Sequence, residues 1–369
     1  MLIFIDALPY GCLSEAPFLS SFPFAARVVP GLGYSINVKA EIFGGYRPAE
    51  AGFFCEWNYR RGGEAHEQRW LWSALGRISR PGTYWDRALH KLASRLLHKE
   101  MANIPFGMTG LFQRAPANAY QDSFPLPTIF DRLRGLRKVL YSSYPEGSDR
   151  DALALREAQE VVREGTCQAL FVALADLDHV THRVGVGSAE HVAKIRSLDA
   201  GVRELVEICR AKNPQARVAV ISDHGMANVH AAVVSNLEKK FGEASEERYV
   251  YFTDATLLRA WVEEPRLRAE IEAYLAGLGQ GHVLTPAERG GYGLTPAQSG
   301  DLIFLLEEGV VFCPNFFGVR APRAMHGYDP RLESQHGLMV ASQGLPGSPS
   351  SLTSVEAYSA LCDFFAVEG

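Results

Sequence analysis

The stretch Val218-Ala219-Val220-Ile221-Ser222-Asp223-His224-Gly225-Met226 decides how the chain is read. Four apolar residues end abruptly in an acid and an imidazole, and a short continuous apolar run reads as a strand buried on both faces of a parallel sheet. Two other runs share the pattern. Leu2-Ile3-Phe4-Ile5 leads into Asp6, and Leu170-Phe171-Val172-Ala173-Leu174 leads to Asp176 and Asp178. The carboxyl ends of strands in an open α/β sheet converge on one crevice, so residues distant in sequence can meet there. A metal-dependent enzyme is the leading expectation.

Outward from these runs, strand and helix alternate, which predicts a mostly parallel sheet with helices on both faces. A helix is expected over Ile36–Phe43, with Ser35 as its N-cap and Gly44-Gly45 as its stop. Further helices are expected at Ala154–Arg163 and Ser188–Cys209. Thr353-x-x-Glu356 is a capping box that opens a C-terminal helix. Residues 1–369 read as a single catalytic domain carrying a cap insertion over 59–151 and a smaller insertion over 243–299, after which Asp301–Leu306 returns to the core.

Bulk properties narrow the function. A chain of 369 residues with 47% hydrophobic content can bury a large core. A net charge of −5 gives no overall basic field, so a nucleic-acid polymer is not the expected partner. Six scattered cysteines suit reduced thiols. With the first strand starting directly after Met1 and no apolar run of about 20 residues, the expected location is cytoplasmic. The oligomeric state stays open.

The chemistry rests on a few residues. Asp178-x-x-x-His182, Asp223-His224, His326 and Asp6 make three carboxylates and three imidazoles, enough for two divalent ions, zinc or alternatively manganese. Each fragment alone has an ordinary structural reading, because an Asp after a strand often caps a turn. Their joint occurrence, with Ser35 between the first and second, points to a metal centre.

In this order the residues resemble the alkaline phosphatase superfamily, in particular its nucleotide pyrophosphatase/type I phosphodiesterase branch. The resemblance rests on strands ending in Asp, on Asp-x-x-x-His, on Ser-Asp-His-Gly-Met and on His326-Gly327-Tyr328-Asp329. It implies an alkaline-phosphatase-like α/β fold. It also implies one ion held by Asp178, His182 and His326, and another held by Asp6, Asp223 and His224. Counting back from Gly45-Tyr46-Arg47-Pro48 puts Ser35 at the nucleophile position, its oxygen held by metal. Members commonly carry Thr there, and an Asn further on to hold a phosphoryl oxygen. Here that place falls near Glu56, so Asn58, Asn37 and Lys39 are the candidate substrate contacts. No Cys-x-Pro-x-Arg surrounds Ser35, which speaks against a sulfatase.

The implied activity is hydrolysis of a phosphodiester or pyrophosphate bond in a small phosphorylated molecule, through a covalent phospho-serine. A phosphomonoesterase, a phosphonate hydrolase or a phosphomutase would use the same centre, and an inactive binding module would only keep the fold. Asp176 is expected to orient a ligating His, His179 and His336 to be structural, and Asp199 to have a structural partner.

In the cap, Trp85, Ala88, Leu89, Leu92, Leu96 and Leu97 follow helical spacing among Arg87, Lys91, Arg95 and Lys99. Trp70, Trp72 and Trp85 alternate with Arg69, Arg77 and Arg87. The plain reading is an amphipathic helix with a solvated basic face. The sharper one is a surface for a phosphorylated or lipid-like substrate or for an anionic membrane.

Overall fold

The computed structural model describes residues 1–60, 74–75, 78–79, 83–97 and 102–367. Trp70, Trp72, Arg69, Arg77 and Lys99 lie outside these. The chain divides into two compact units, Met1–Arg47 with Pro116–Asn228 and Pro330–Gly369, and Pro48–Ala115 with Val229–Asp329.

The first unit is built on a seven-stranded sheet. Its strands are β1 (Leu2–Ile5), β2 (Phe24–Val29), β3 (Leu136–Leu140), β4 (Ala169–Leu174), β5 (Ala219–Ile221), β6 (Gly337–Ala341) and β7 (Ser351–Thr353), in the order β7-β2-β6-β5-β1-β4-β3. Only β6 runs antiparallel to its neighbours. Register sets the ends level: Ile5 lies opposite Leu174 and Phe4 opposite Ile221, so Asp6, Asp176 and Asp223 all emerge at one edge.

Helices α1 (Ser35–Gly44), α2 (Arg150–Glu164), α3 (Asp176–Val184), α4 (Ala189–Lys212) and α5 (Ser354–Phe365) follow. Successive strand residues point to opposite faces. Leu2, Phe4, Phe171 and Ile221 pack with α1 and α5, whereas Ile3, Ile5, Val172 and Val220 pack with α2 and α4. Phe43 of α1 meets Phe4 edge-on at 5.7 Å and Phe171 at 5.8 Å. Burying such a ring is worth about 3–5 kcal/mol against Ala, and here it fastens the helix that begins with Ser35 onto the central strands. At the other end of α1, Gly45 adopts φ 75°, the left-handed cap that glycine takes without strain.

The second unit holds a four-stranded antiparallel sheet in the order Tyr249–Thr253, Leu257–Val262, Leu302–Leu306, Gly281–Val283. The Pro265–Ala276 helix buries Leu267, Ile271 and Leu275. Leu302–Leu306, expected to rejoin the core, is therefore a strand of this second sheet. Conversely, Leu136–Leu140 falls inside the 59–151 stretch but forms an edge of the seven-stranded sheet. Among the described residues no helix is long and apolar enough to cross a membrane.

Candidate active site

The end of β1 and the turn after β5 lock together. Asp6 N–H donates to Leu174 O at 2.9 Å, and the chain then turns through Ala7 at φ 61°. A non-glycine residue in this region costs about 1–3 kcal/mol and persists where its surroundings fix it. Here Ala7 N donates to Asp223 Oδ1 at 3.3 Å, and Leu8 N to Ser222 Oγ at 2.8 Å. His224 N also donates to Asp223 Oδ1, at 3.1 Å. One carboxylate oxygen of Asp223 thus works on the backbone. Gly225 is required because a Cβ there would sit 2.3 Å from Ser334 O.

The other oxygen of Asp223 faces inward. Asp223 Oδ2 and Asp6 Oδ1 are buried with no hydrogen-bond partner. They lie 3.5 and 3.6 Å from His224 Nε2. One ligand atom from each of Asp6, Asp223 and His224 falls within 4.8 Å of the others. Burial raises the Asp6 acid to about 7, the charge of Asp223 adds to the rise, and Lys39 opposes it. Two buried carboxylates, each with an oxygen that has no hydrogen-bond partner, beside an imidazole fit a divalent cation such as zinc or manganese.

Ser35 is not the N-cap of α1. Tyr34 caps the helix, and Ser35 is its first residue. Its Oγ lies 2.7 Å from His224 Nε2, while His224 Nδ1 lies 3.0 Å from Gly225 O. A carbonyl only accepts, so Nδ1 carries the proton and the Nε2 lone pair faces Ser35 and the two carboxylates. Asn37 is spent locally, accepting from Tyr34 N at 2.8 Å and donating to Leu32 O at 3.0 Å. Lys39, one turn beyond Ser35, is buried with Nζ 2.7 Å from Asp6 Oδ2 and 4.0 Å from Asp223 Oδ2. Burial alone would lower its pKa, but Asp6, Tyr120 and Asp223 hold it well above the ordinary value. Its ammonium lies 5.1 Å from the Phe4 ring centre and 5.9 Å from that of Tyr120.

Asp178 and His182 share one face of α3 at i,i+4, with Oδ1 3.4 Å from Nε2. A ligand atom of Asp178 comes within 4.8 Å of one of His224. Asp176 does not orient a histidine. Its Oδ2 accepts from Asp151 N at 3.1 Å, and Asp151 Oδ1 accepts from Ala175 N at 2.8 Å, so the starts of α2 and α3 cap each other. Arg150, 3.2 Å from Asp176, and Lys194, 3.0 Å from Asp151, balance the charge. Asp199 accepts from Phe18 N and Leu19 N and is structural. His179 is exposed, whereas His336 is buried with Nε2 3.1 Å from Pro330 O.

Two candidates belong to the second unit. His326 is buried directly after the short strand Ala324–Met325, where Thr256 Oγ1 donates to Gly327 O at 2.8 Å. Asn58 closes its own turn, accepting from Phe54 N at 3.0 Å and donating to Cys55 O at 2.7 Å.

Sequence reasoning missed Tyr120, Tyr141 and Glu41. The two phenols feel the charges of Lys39 and Asp6, and burial raises both their pKa values. Glu41 Oε2 accepts from Gly31 N at 3.0 Å and from Ser354 Oγ, which ties the segment leading into Ser35 to the first turn of α5. Burial pushes the Glu41 acid up to about 7 against those hydrogen bonds and Arg47. The sign follows: its contribution to stability is complete below the unfolded value near 4.5 and is lost as pH rises through about 7. Glu41→Gln is expected to gain roughly 3 kcal/mol relative to the unmodified protein between pH 4.5 and 8. Urea denaturation at both pH values measures this, and a gap that does not change with pH would overturn it.

A sequence model of the type I phosphodiesterase / nucleotide pyrophosphatase family matches residues 44–329, a span holding Asp178, His182, Asp223, His224 and His326 but not Asp6 or Ser35. Human ectonucleotide pyrophosphatase / phosphodiesterase 5 superposes with a TM-score of 0.66 at 12% identity, covering 100% of this chain and 95% of that one. The murine protein, in complex with AMP, gives 0.64 at 15% identity with the same coverage. Phosphonoacetate hydrolase from Sinorhizobium meliloti 1021, in complex with phosphonoformate, gives 0.65 at 14% identity, covering 98% of this chain and 95% of that one. No curated protein matches. At these identities the structural likeness speaks for the fold.

Proposed function

This chain belongs to the type I phosphodiesterase / nucleotide pyrophosphatase family of metal-dependent hydrolases, and on that premise we propose that it cleaves a phosphodiester or pyrophosphate bond of a small phosphorylated molecule with Ser35 as nucleophile. One observation carries the reading: Ser35 Oγ lies 2.7 Å from His224 Nε2, a nitrogen placed to accept from the hydroxyl because Nδ1 of the same ring donates to a carbonyl. Ser35 Oγ bonds to phosphorus as the bond from phosphorus to the leaving oxygen breaks. The hydroxyl proton ends on the leaving oxygen; water then attacks phosphorus, its oxygen stays on the phosphate as the bond from phosphorus to Ser35 Oγ breaks, and one water proton returns to Ser35. Asp6, Asp223 and His224 would hold one divalent ion, and Asp178 and His182 would take part in holding the other. Bound there, the ions supply Lewis-acid charge that favours a serine alkoxide and neutralises the leaving oxygen. Lys39 holds Asp6 in place and balances the buried acids before any ligand arrives. Ser35, as the first residue of α1, sits at the positive helix end, which favours a phosphate. Zinc is the preferred ion on the mixed imidazole and carboxylate donor set, with manganese second.

Substrate class is tested by kcat/KM for a diester and a monoester that share one leaving group. The family model that matches this chain is one of type I phosphodiesterases, so we expect a preference of about tenfold or more for the diester. A monoester preference would move the assignment to a phosphatase. Higher turnover of a phosphonate with the same leaving group would move it to a phosphonate hydrolase.

A further inference from the structure

The Tyr84–Leu97 helix of the second unit leaves several of its apolar side chains in solvent. Seven large hydrophobic side chains are exposed among the described residues, and five of them, Ile78, Tyr84, Trp85, Leu92 and Leu96, cluster on or just before this helix. Trp85 is 53% exposed, Leu92 53% and Leu96 71%. At about 100° per residue these three fall within roughly 40° of one another, a continuous stripe. The helix is anchored by a different face. Leu89 and Ala93 are buried there with Asp86 and His90, and the His90 ring stacks on Phe106 at 4.1 Å with Nε2 2.7 Å from Ile104 O. The exposed stripe is therefore not the face that holds the helix in its unit.

The charges beside the stripe have one sign. Arg87, Lys91 and Arg95 are all exposed, whereas the helix's single acid, Asp86, is buried. Arg95 and Lys91 both border one side of the stripe, at roughly 80° and 120° from its centre, where long side chains reach outward while their stems cover apolar surface. Arg320 adds a fourth cation, its guanidinium 5.5 Å from the centre of the Tyr84 ring. In a protein of net charge −5, this is a local reversal of sign next to exposed Trp, Tyr and Leu. An apolar stripe bordered by Lys and Arg with an interfacial aromatic is the pattern of a helix that lies in the headgroup layer of a membrane. A second copy of the chain fits less well, because a two-fold contact would set Lys91 and Arg95 against their own counterparts. A small soluble substrate would need a concave surface, and the stripe is convex.

We propose that this helix docks the protein on anionic lipid bilayers, with Trp85, Leu92 and Leu96 entering the interface and Lys91, Arg95 and Arg320 meeting lipid phosphates. Co-sedimentation with vesicles of phosphatidylcholine alone, or with about one-third phosphatidylglycerol, tests it in roughly 0.1 M salt. Each basic residue near such a surface contributes about fivefold in partitioning, so anionic vesicles are expected to bind the protein at least tenfold more tightly than neutral ones. Leu92→Glu with Leu96→Glu, and separately Lys91→Glu with Arg95→Glu, should each weaken binding about tenfold or more. All four side chains are exposed, so far-UV circular dichroism should not change. Failure to sediment with anionic vesicles overturns the proposal. So does loss of binding in the charge variant alone, which would mean surface attraction without insertion. A dimer in size-exclusion chromatography that the leucine variant dissociates would assign the stripe to a second copy instead.

Discussion

Ser35→Ala is expected to lower turnover of the best diester by roughly 10³-fold or more while leaving the fold and the metal content in place. The size follows from what the hydroxyl does. Without it, water must attack phosphorus directly, and the two-step route is lost. The structural cost is small by comparison, because the side chain gives up one hydrogen bond to His224, worth about 1 kcal/mol. Helix α1 stays fastened by Phe43 and by the Glu41 contacts to Gly31 and Ser354. Ser35→Thr keeps the hydroxyl and is expected to retain measurable turnover. Single-turnover kinetics, thermal melting and metal analysis of the purified variants decide the matter. Unmodified turnover in Ser35→Ala would leave Ser35 as a polar neighbour of His224 and end the covalent route.

How much of this site could be read from the sequence depended on how local each signal was. Asp6 and Asp223 were legible because an apolar run buried on both faces ends in each of them, and the parallel register then brings the ends level. Lys39 was harder. It lies one turn from Ser35, but α1 is buried from Asn37 to Gly44, so no amphipathic pattern says which way its ammonium points. Tyr120 comes from a Pro-rich stretch without periodicity, and only the packing against Phe4 and Phe171 brings it beside Lys39. The partner of Asp176 was hidden for another reason: Asp151 lies 25 residues earlier, and the two helix starts meet only because β3 and β4 pair in parallel. Leu302–Leu306 reads as a buried strand and is one, but such a run carries no sign of which sheet it joins. On the Tyr84–Leu97 helix, spacing identified the helix but not its buried face. A locally paired Asp86 and His90 went inside and Trp85, Leu92 and Leu96 stayed out.

Asp223→Asn is expected to cut bound metal from about two ions per chain to about one, and to weaken the affected site by at least about 100-fold. This substitution separates two jobs of one carboxylate. The Oδ1 oxygen that accepts from Ala7 N and His224 N survives in Asn, so the turn that aims His224 is kept. The Oδ2 oxygen, buried without a partner and 3.5 Å from His224 Nε2, becomes an amide that neither carries charge nor ligates. Lys39 remains paired with Asp6 at 2.7 Å, so the variant does not leave a buried ammonium alone. His182→Ala should lower the other site's occupancy in the same way. Elemental analysis after gentle purification gives the stoichiometry, and chelator titration gives the affinity. Two ions still bound in Asp223→Asn would remove Asp223 from the ligand set, while full activity of metal-free protein in excess chelator would sink the two-metal reading altogether. If content falls by one ion while the melting temperature changes little, the acids at the ends of β1 and β5 act as ligands first and as structural residues second.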